Sequence, residues 1–278
     1  VGLPGETLLV IAGKSCVVHD SPMPDHTQRF SDRVSFYTRA RPRYPAAVLR
    51  FLQTQLAWSP DWVVADIGAG TGLLAELFAH AGNTVLGVEP NAPMRAAAVE
   101  LLRPWPNFSA VDGTAEATTL QDASVDLVTA GQAFHWFDAA KAKAEFAHIL
   151  RGPKPVLLVW NKRKRDGDGF NDAYQSLVAR HQIDRSAVES VDASDNAGGV
   201  LDQFFAPHGF ILKTFDNPQM LDREGFLDRL ASSSYMPLAP DPRNAAVMQE
   251  AGELFDRHQR NGVVRIEHET RVYLGRVG

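Results

Sequence analysis

The chain has 278 residues, 45% of them hydrophobic, with a formal net charge of −5 and an isoelectric point near 6.0. That length suits one large α/β domain, or one domain with an inserted cap, and the acidic balance argues against a broad polyanion-binding surface, so no nucleic-acid partner is expected. A single cysteine, Cys16, excludes an intrachain disulfide framework and suits a reducing cytoplasm, the expected location; the nine histidines show no metal-ligand spacing, so no metal is expected.

Leu8 to Ala12 is the only apolar run near the start, too short to cross a bilayer and without a positive region before it, so no membrane partner is expected. Residues 1–22 mix Pro and Gly with no clear period, whereas Met23 begins a stretch that reads smoothly onward. We expect 23–278 to form the domain. The first 22 residues read either as a non-native extension or as a poorly ordered arm.

Between Phe30 and Tyr44 the residues Phe30, Val34, Phe36, Tyr37 and Tyr44 lie among several arginines, Arg39, Arg41 and Arg43 included, and Pro42 and Pro45 break any helix there. The stretch from about 28 to 45 reads either as a lid or as a helix packed on a sheet edge with solvated arginines. From Ala46, the spacing of Val48, Leu49, Leu52 and Leu56 predicts a helix.

Val63 to Ile67 is a short apolar run carrying Asp66, followed by Gly68, Ala69, Gly70, Thr71 and Gly72 and then by the helical apolar face of Leu73, Leu74, Leu77 and Phe78. This predicts a strand, a tight glycine turn and a helix whose first N–H groups are unpaired. Such a turn at a strand's C-terminal end suits a nucleotide-like cofactor. Gly72 comes one residue early for a dinucleotide fingerprint, and no Gly-Lys-Ser/Thr follows for a P-loop.

A second strand, Thr84 to Val88, ends in Glu89, an acid placed to accept both hydroxyls of a ribose. Pro90 and Asn91 follow, and Asn91 caps a helix that carries Met94 and runs to about Leu102. Asn107 to Val111 is a third strand, leading into Asp112-Gly113-Thr114-Ala115-Glu116. The nearly all-apolar fourth strand, Val125 to Ala130, reads as central and parallel. At its carboxyl end stand Gly131-Gln132-Ala133-Phe134-His135-Trp136-Phe137, the edge where open α/β sheets bind ligands.

A fifth strand, Val156 to Trp160, runs into the basic stretch Lys162 to Arg165, either a solvated loop or an attractor for an anionic acceptor. Residues from about 162 to 208 read as inserts after this strand. Phe210 to Phe215 is a sixth strand, Leu221 to Leu230 a helix, and Ser232-Ser233-Ser234-Tyr235-Met236-Pro237 a polar–aromatic turn. A polar helix from about Asn244 to Arg260 leads into a seventh strand, Val263 to Leu274.

Asp-x-Gly-x-Gly-x-Gly resembles motif I of the class I S-adenosylmethionine (SAM) methyltransferases. The stretch from Tyr37 to Pro45, the Gln-Ala-Phe-His-Trp-Phe run and Ser-x-Ser-Tyr are similar to segments of the type-11 group, which includes the trans-aconitate methyltransferase-like enzymes. The resemblance implies a doubly wound, mostly parallel seven-stranded sheet of order 3-2-1-4-5-7-6 with an antiparallel last strand and a helical lid. It implies SAM as cofactor, bound by Asp66, Gly68, Ala69, Gly70, Gly72, Glu89, Pro90, Met94, Gly113, Thr114, Ala115, Glu116, Gln132, Tyr37 and Tyr44. On the acceptor side it implies Arg41, His135, Trp136 and Tyr235. His135 reads either as a catalytic base or as a packed core residue. The implied activity is methyl transfer to a small molecule, with oxygen of a carboxylate or hydroxyl favoured. The competing classes are a non-catalytic SAM-binding protein and a Rossmann-type dehydrogenase.

Overall fold

A computed structural model describes residues 40–164, 169–183, 199–233 and 235–278. Tyr37, Ser234, the segment before Ala40 and, within the expected insert at 162–208, residues 165–168 and 184–198 therefore lie outside the described residues.

Among the described residues the elements run α1 (Ala47–Leu56), β1 (Val63–Ile67), α2 (Leu73–His80), β2 (Thr84–Val88), α3 (Ala92–Leu101), β3 (Phe108–Val111) and β4 (Leu127–Gly131). A 3-10 turn at Phe134–Trp136 precedes α4 (Ala139–Ile149) and β5 (Pro155–Arg163). Then come α5 (Phe170–His181), α6 (Val200–Phe204), β6 (Phe210–Asp216), β7 (Gln219–Leu221), α7 (Arg223–Ala231), α8 (Arg243–His258), β8 (Val264–Ile266) and β9 (His268–Arg276).

Seven strands form one sheet in the order β3-β2-β1-β4-β5-β9-β6. The first five are parallel, and β9 runs antiparallel to both of its neighbours. With the short β7–β8 pair set aside, this is the expected 3-2-1-4-5-7-6 order. Alternation of side chains along each strand supplies two buried layers. On one face Val64, Leu127, Leu157 and Val159 pack against Val48 and Leu52 of α1 and Leu74 and Phe78 of α2. On the other, Ala65, Val128, Leu158 and Trp160 meet Phe146 and Ile149 of α4 and Phe204 of α6.

A third apolar cluster is separate from the sheet. Phe170, Tyr174 and Leu177 of α5 pack with Phe226 and Leu230 of α7 and with Val247, Leu254 and Phe255 of α8, closed by Val264 and Ile266. This is a cap, and more of it comes from the segment between β6 and β9 than from the expected insertion after strand five. The seventh strand, expected as one run from Val263, is broken at Glu267. Asn171 takes hold of the backbone there: its amide donates to the Glu267 carbonyl at 3.1 Å and its carbonyl oxygen accepts from the Glu267 N–H at 3.3 Å. β8 therefore joins the cap while β9 enters the sheet. The fifth strand runs three residues past its expected end at Trp160, so Lys162 and Arg163 belong to β5, with Arg163 opposite His268.

Candidate active site

Strand order reverses between β1 and β4, and the crevice above that point is where open α/β sheets take ligands. A cavity of about 430 Å³ lies there, within the size range of small-molecule sites.

Asp66 sits at the carboxyl end of β1, 1% exposed. Its Oδ1 accepts the hydroxyl of Thr129, its cross-strand neighbour on β4, at 2.9 Å. Its Oδ2 is buried with no hydrogen-bond partner among the described residues. Burial pushes the carboxyl up to about 7, and the negative charge of Glu89 adds to this, while the bonds from Thr129 and Ala75 oppose it. An acid in that state is poised to receive a cation or a donor.

The glycine turn divides its work. Gly68, Gly70 and Gly72 all have positive φ, at 65°, 56° and 86°. Gly68 cannot carry a side chain, because a Cβ would stand 2.7 Å from Ala133 Cβ. A Cβ on Gly72 would stand 2.8 Å from Leu102, so its absence lets α2 begin against the end of α3; it does not line the cavity. Gly70 is different: it lines the cavity, and nothing stands within 4 Å of where a Cβ would go. Gly70→Ala is therefore expected to fold with a loss of about 1–2 kcal/mol from the left-handed backbone while weakening cofactor binding. Urea melts and calorimetry on the one variant separate these effects; unchanged affinity would show that nothing lies close over this turn.

Glu89 follows β2 directly. Its Oε2 accepts the Gly70 N–H at 2.9 Å and its Oε1 the Asn91 N–H at 2.9 Å. Each oxygen keeps accepting capacity, so the two form a preset pair facing the cavity. Burial raises its pKa, against the lowering influence of those two bonds and of Arg95. Asn91 caps α3 through the Met94 N–H at 2.9 Å, which sets Pro90 and Met94 on the cavity wall.

Ala69, Thr114, Ala115 and Glu116 also line the cavity, and the Glu116 carboxylate accepts the Asp138 N–H at 2.9 Å. Gly113 does not; a Cβ there would lie 2.6 Å from the Thr118 carbonyl, so this glycine lets the loop fold back. Gln132 lines the cavity with φ 57°, a conformation unusual for a residue with a side chain. Its side-chain oxygen accepts the Asn161 N–H at 3.0 Å. Tyr44 closes the roof, its hydroxyl so close to Gly131 that a Cβ there would lie 2.6 Å away.

On the acceptor side, Arg41 and Trp136 line the cavity, but His135 and Tyr235 do not. The reason at His135 is the 3-10 turn, in which successive side chains point about a third of a turn apart, so Trp136 reaches the cavity and its neighbour does not. Burial lowers His135 to about 4, which keeps the ring neutral at pH 7 and makes it a weak base. Arg43 pairs with Glu76 instead of facing the cavity. The sequence reading missed Thr71, Asn161 and Arg229 on the wall. Arg229 had one local signal: it shares a buried helical face with Phe226 and Leu230, an odd place for a cation.

The donor and acceptor set suits SAM. A buried acid with an unused oxygen matches a cationic group, the Glu89 pair matches a vicinal diol, and the space above Gly70 admits a ligand against the backbone. Among the described residues no group of three or more metal-binding side chains converges, and no helix is long and apolar enough to cross a membrane.

Comparison with known proteins points to methyltransferases. Residues 65–153 match the family model of a type-11 methyltransferase domain. An uncharacterized methyltransferase of Mycobacterium tuberculosis is 35% identical over 180 residues, covering 58% of this chain and 71% of that protein. Another from Schizosaccharomyces pombe is 31% identical over 135 residues, covering 48% of this chain and 53% of its own. In fold, a solved structure from Anaeromyxobacter dehalogenans, a proposed type II methyltransferase, superposes with a TM-score of 0.61 at 24% identity, over 85% of this chain and 97% of that one.

Proposed function

The chain belongs to the class I SAM-dependent methyltransferases, and from that premise we propose that it methylates an oxygen of a small-molecule acceptor, a carboxylate in preference to a hydroxyl. On this reading it would act like the trans-aconitate methyltransferase-like enzymes of the type-11 group, which its sequence motifs resemble. The observation that carries the proposal is the composition of one cavity wall: Asp66 and Glu89 at one part, Arg41 and Arg229 at another.

When bound, SAM supplies a methyl group already activated on a sulfonium and leaves as S-adenosylhomocysteine. Asp66 would hold the positive charge of the cofactor through its unused oxygen, and Glu89 would take the ribose hydroxyls. Leu73, Leu74, Trp136 and Phe137 line the same space and would exclude water from it. Positioning and desolvation then do most of the catalytic work. A carboxylate acceptor arrives deprotonated and needs no general base, which suits a cavity that His135 does not line. Nucleic acid is not an acceptor on this reading.

Incubation with methyl-labelled SAM and a panel of small carboxylic acids and matched alcohols tests the proposal. Label is expected in a base-labile ester. Label only in base-stable products would refute carboxylate methylation, and saturable SAM binding without transfer to any member of the panel would favour a binding protein. His135→Ala is expected to keep most of the turnover, with any activity loss at low pH centred near 4 in the parent. A large drop in turnover, with a pH limb near 6.5 that the variant lacks, would return His135 to the role of base.

A further inference from the structure

The roof of the cavity is held by side chains rather than by its own backbone. Arg41, Pro42 and Tyr44 belong to a short non-helical segment before α1 and line the cavity. Pro42 and Pro45 have no N–H to give, and no backbone N–H of the described residues bonds the Pro42 or Arg43 carbonyl. Buried or half-buried carbonyls need donors from somewhere, and here carboxamides supply them. Asn161 Nδ2 donates to the Pro42 carbonyl at 3.0 Å and stands 3.5 Å from the Arg43 carbonyl. Asn217 Nδ2 donates to the Arg43 carbonyl at 2.7 Å, and Gln219 Nε2 to the Ala40 carbonyl at 2.8 Å. These amides come from β5, the turn after β6 and the start of β7, 119 to 179 residues away along the chain.

Asn161 is the junction of this set. It is 8% exposed and itself lines the cavity. Its Oδ1 accepts the Thr270 hydroxyl at 2.6 Å and Asn217 Nδ2 at 3.1 Å, which turns the carboxamide nitrogen toward the roof. The Asn161 backbone is gripped from another side: its N–H donates to Gln132 Oε1 at 3.0 Å, and its carbonyl accepts from Gln132 Nε2 at 3.4 Å. Gln132 stands at φ 57°, a strained conformation that lasts only where the surroundings determine it. One residue thus ties the strained cavity wall after β4 to the roof.

We propose that Asn161 is a positioning residue: its carboxamide latches segment 40–44 over the cavity while its backbone holds Gln132, so that roof and wall enclose a bound cofactor as one unit and the latch sets how fast the cofactor leaves. Asn161 acts through the roof and not on the reacting atoms. The latch is a property of this chain's geometry, and its effect on a ligand rests on the methyl-transfer reading.

Limited trypsin digestion of the full chain, with stopped-flow measurement of S-adenosylhomocysteine dissociation, tests it without requiring turnover. Trypsin cuts after Arg43, whose carbonyl is one of those the latch holds, and cutting there requires local opening. Cutting after Arg95, inside α3, reports global unfolding. Asn161→Ala is expected to speed cutting after Arg43, and S-adenosylhomocysteine release, by about tenfold each, the effect of losing one or two ordinary hydrogen bonds. Cutting after Arg95 should rise far less. Thr270→Val frees the carboxamide to turn and should give intermediate rates. If Asn161→Ala does not fold, Asn217→Ala, which removes the exposed donor to the Arg43 carbonyl, should give the same two changes in smaller measure. A merely structural asparagine would lower Tm and raise both cuts in step; that result, or unchanged cutting after Arg43, overturns the latch. Faster cutting with an unchanged S-adenosylhomocysteine off-rate overturns the positioning role. A parent chain that binds no S-adenosylhomocysteine defeats the methyltransferase reading and the role toward a cofactor together, whereas binding with no effect of Asn161→Ala defeats the positioning role alone.

Discussion

Glu89→Ala is expected to weaken SAM binding by about 1–3 kcal/mol, the cost of removing hydrogen bonds to a charged group, or roughly one to two orders of magnitude in Kd. The effect has two sources. One is loss of the acceptor pair itself. The other is release of the Gly70 and Asn91 N–H groups, which the carboxylate holds from both sides. Glu89→Gln separates them, because an amide keeps one acceptor oxygen and loses the charge; it should fall between parent and alanine variant. Calorimetric titration gives both numbers. Parent-like affinity in Glu89→Ala would remove Glu89 from the cofactor site.

Asp66→Asn is expected to stabilise the ligand-free chain while damaging its function. Burial holds the Asp66 carboxyl near 7, against an ordinary value of 3.8. Between about pH 4 and 7 the folded chain thus keeps a proton that the unfolded chain has released. Stability therefore falls as pH rises through that window, and the penalty is complete above it. At 1.36 kcal/mol per pKa unit the penalty is on the order of 4 kcal/mol. Asparagine cannot ionise, so the variant should resist urea better than the parent at pH 8, with the advantage vanishing near pH 4. SAM binding should show the converse: parent affinity rises with pH up to about 7 as the carboxylate forms, and the variant binds weakly and without that dependence. A variant less stable than the parent at pH 8 would mean that Asp66 carries a compensated charge.

These two acids were legible in the sequence because the information is local. Asp66 ends an apolar run and precedes three alternating glycines, and Glu89 lies one helix and one strand later, so neither needed tertiary contacts to be found. The alternation of strand and helix pointed to an open, mostly parallel sheet, and its strand order came from the family resemblance. Arg229 and Asn161 were not legible, since each reaches the cavity from a segment far along the chain. The basic run after Trp160 shows the same limit: Arg163 turns under Tyr174 while Lys164 pairs with Asp216 at 2.6 Å on the surface, a division that only the packing of α5 decides. The break at Glu267 depends on Asn171, 96 residues earlier, and period-two alternation runs straight through it. His135 and Trp136 stand side by side in one motif, and no spacing rule distinguishes the neighbour that reaches the cavity from the one that does not.

The central claim is that the crevice above β1, β2 and β4 is a SAM site. Competition calorimetry with the full chain tests it directly: S-adenosylhomocysteine should bind saturably at one site per chain, be displaced by SAM, and be unaffected by NADH. Binding of NADH with no response to SAM or S-adenosylhomocysteine would contradict the account at its root.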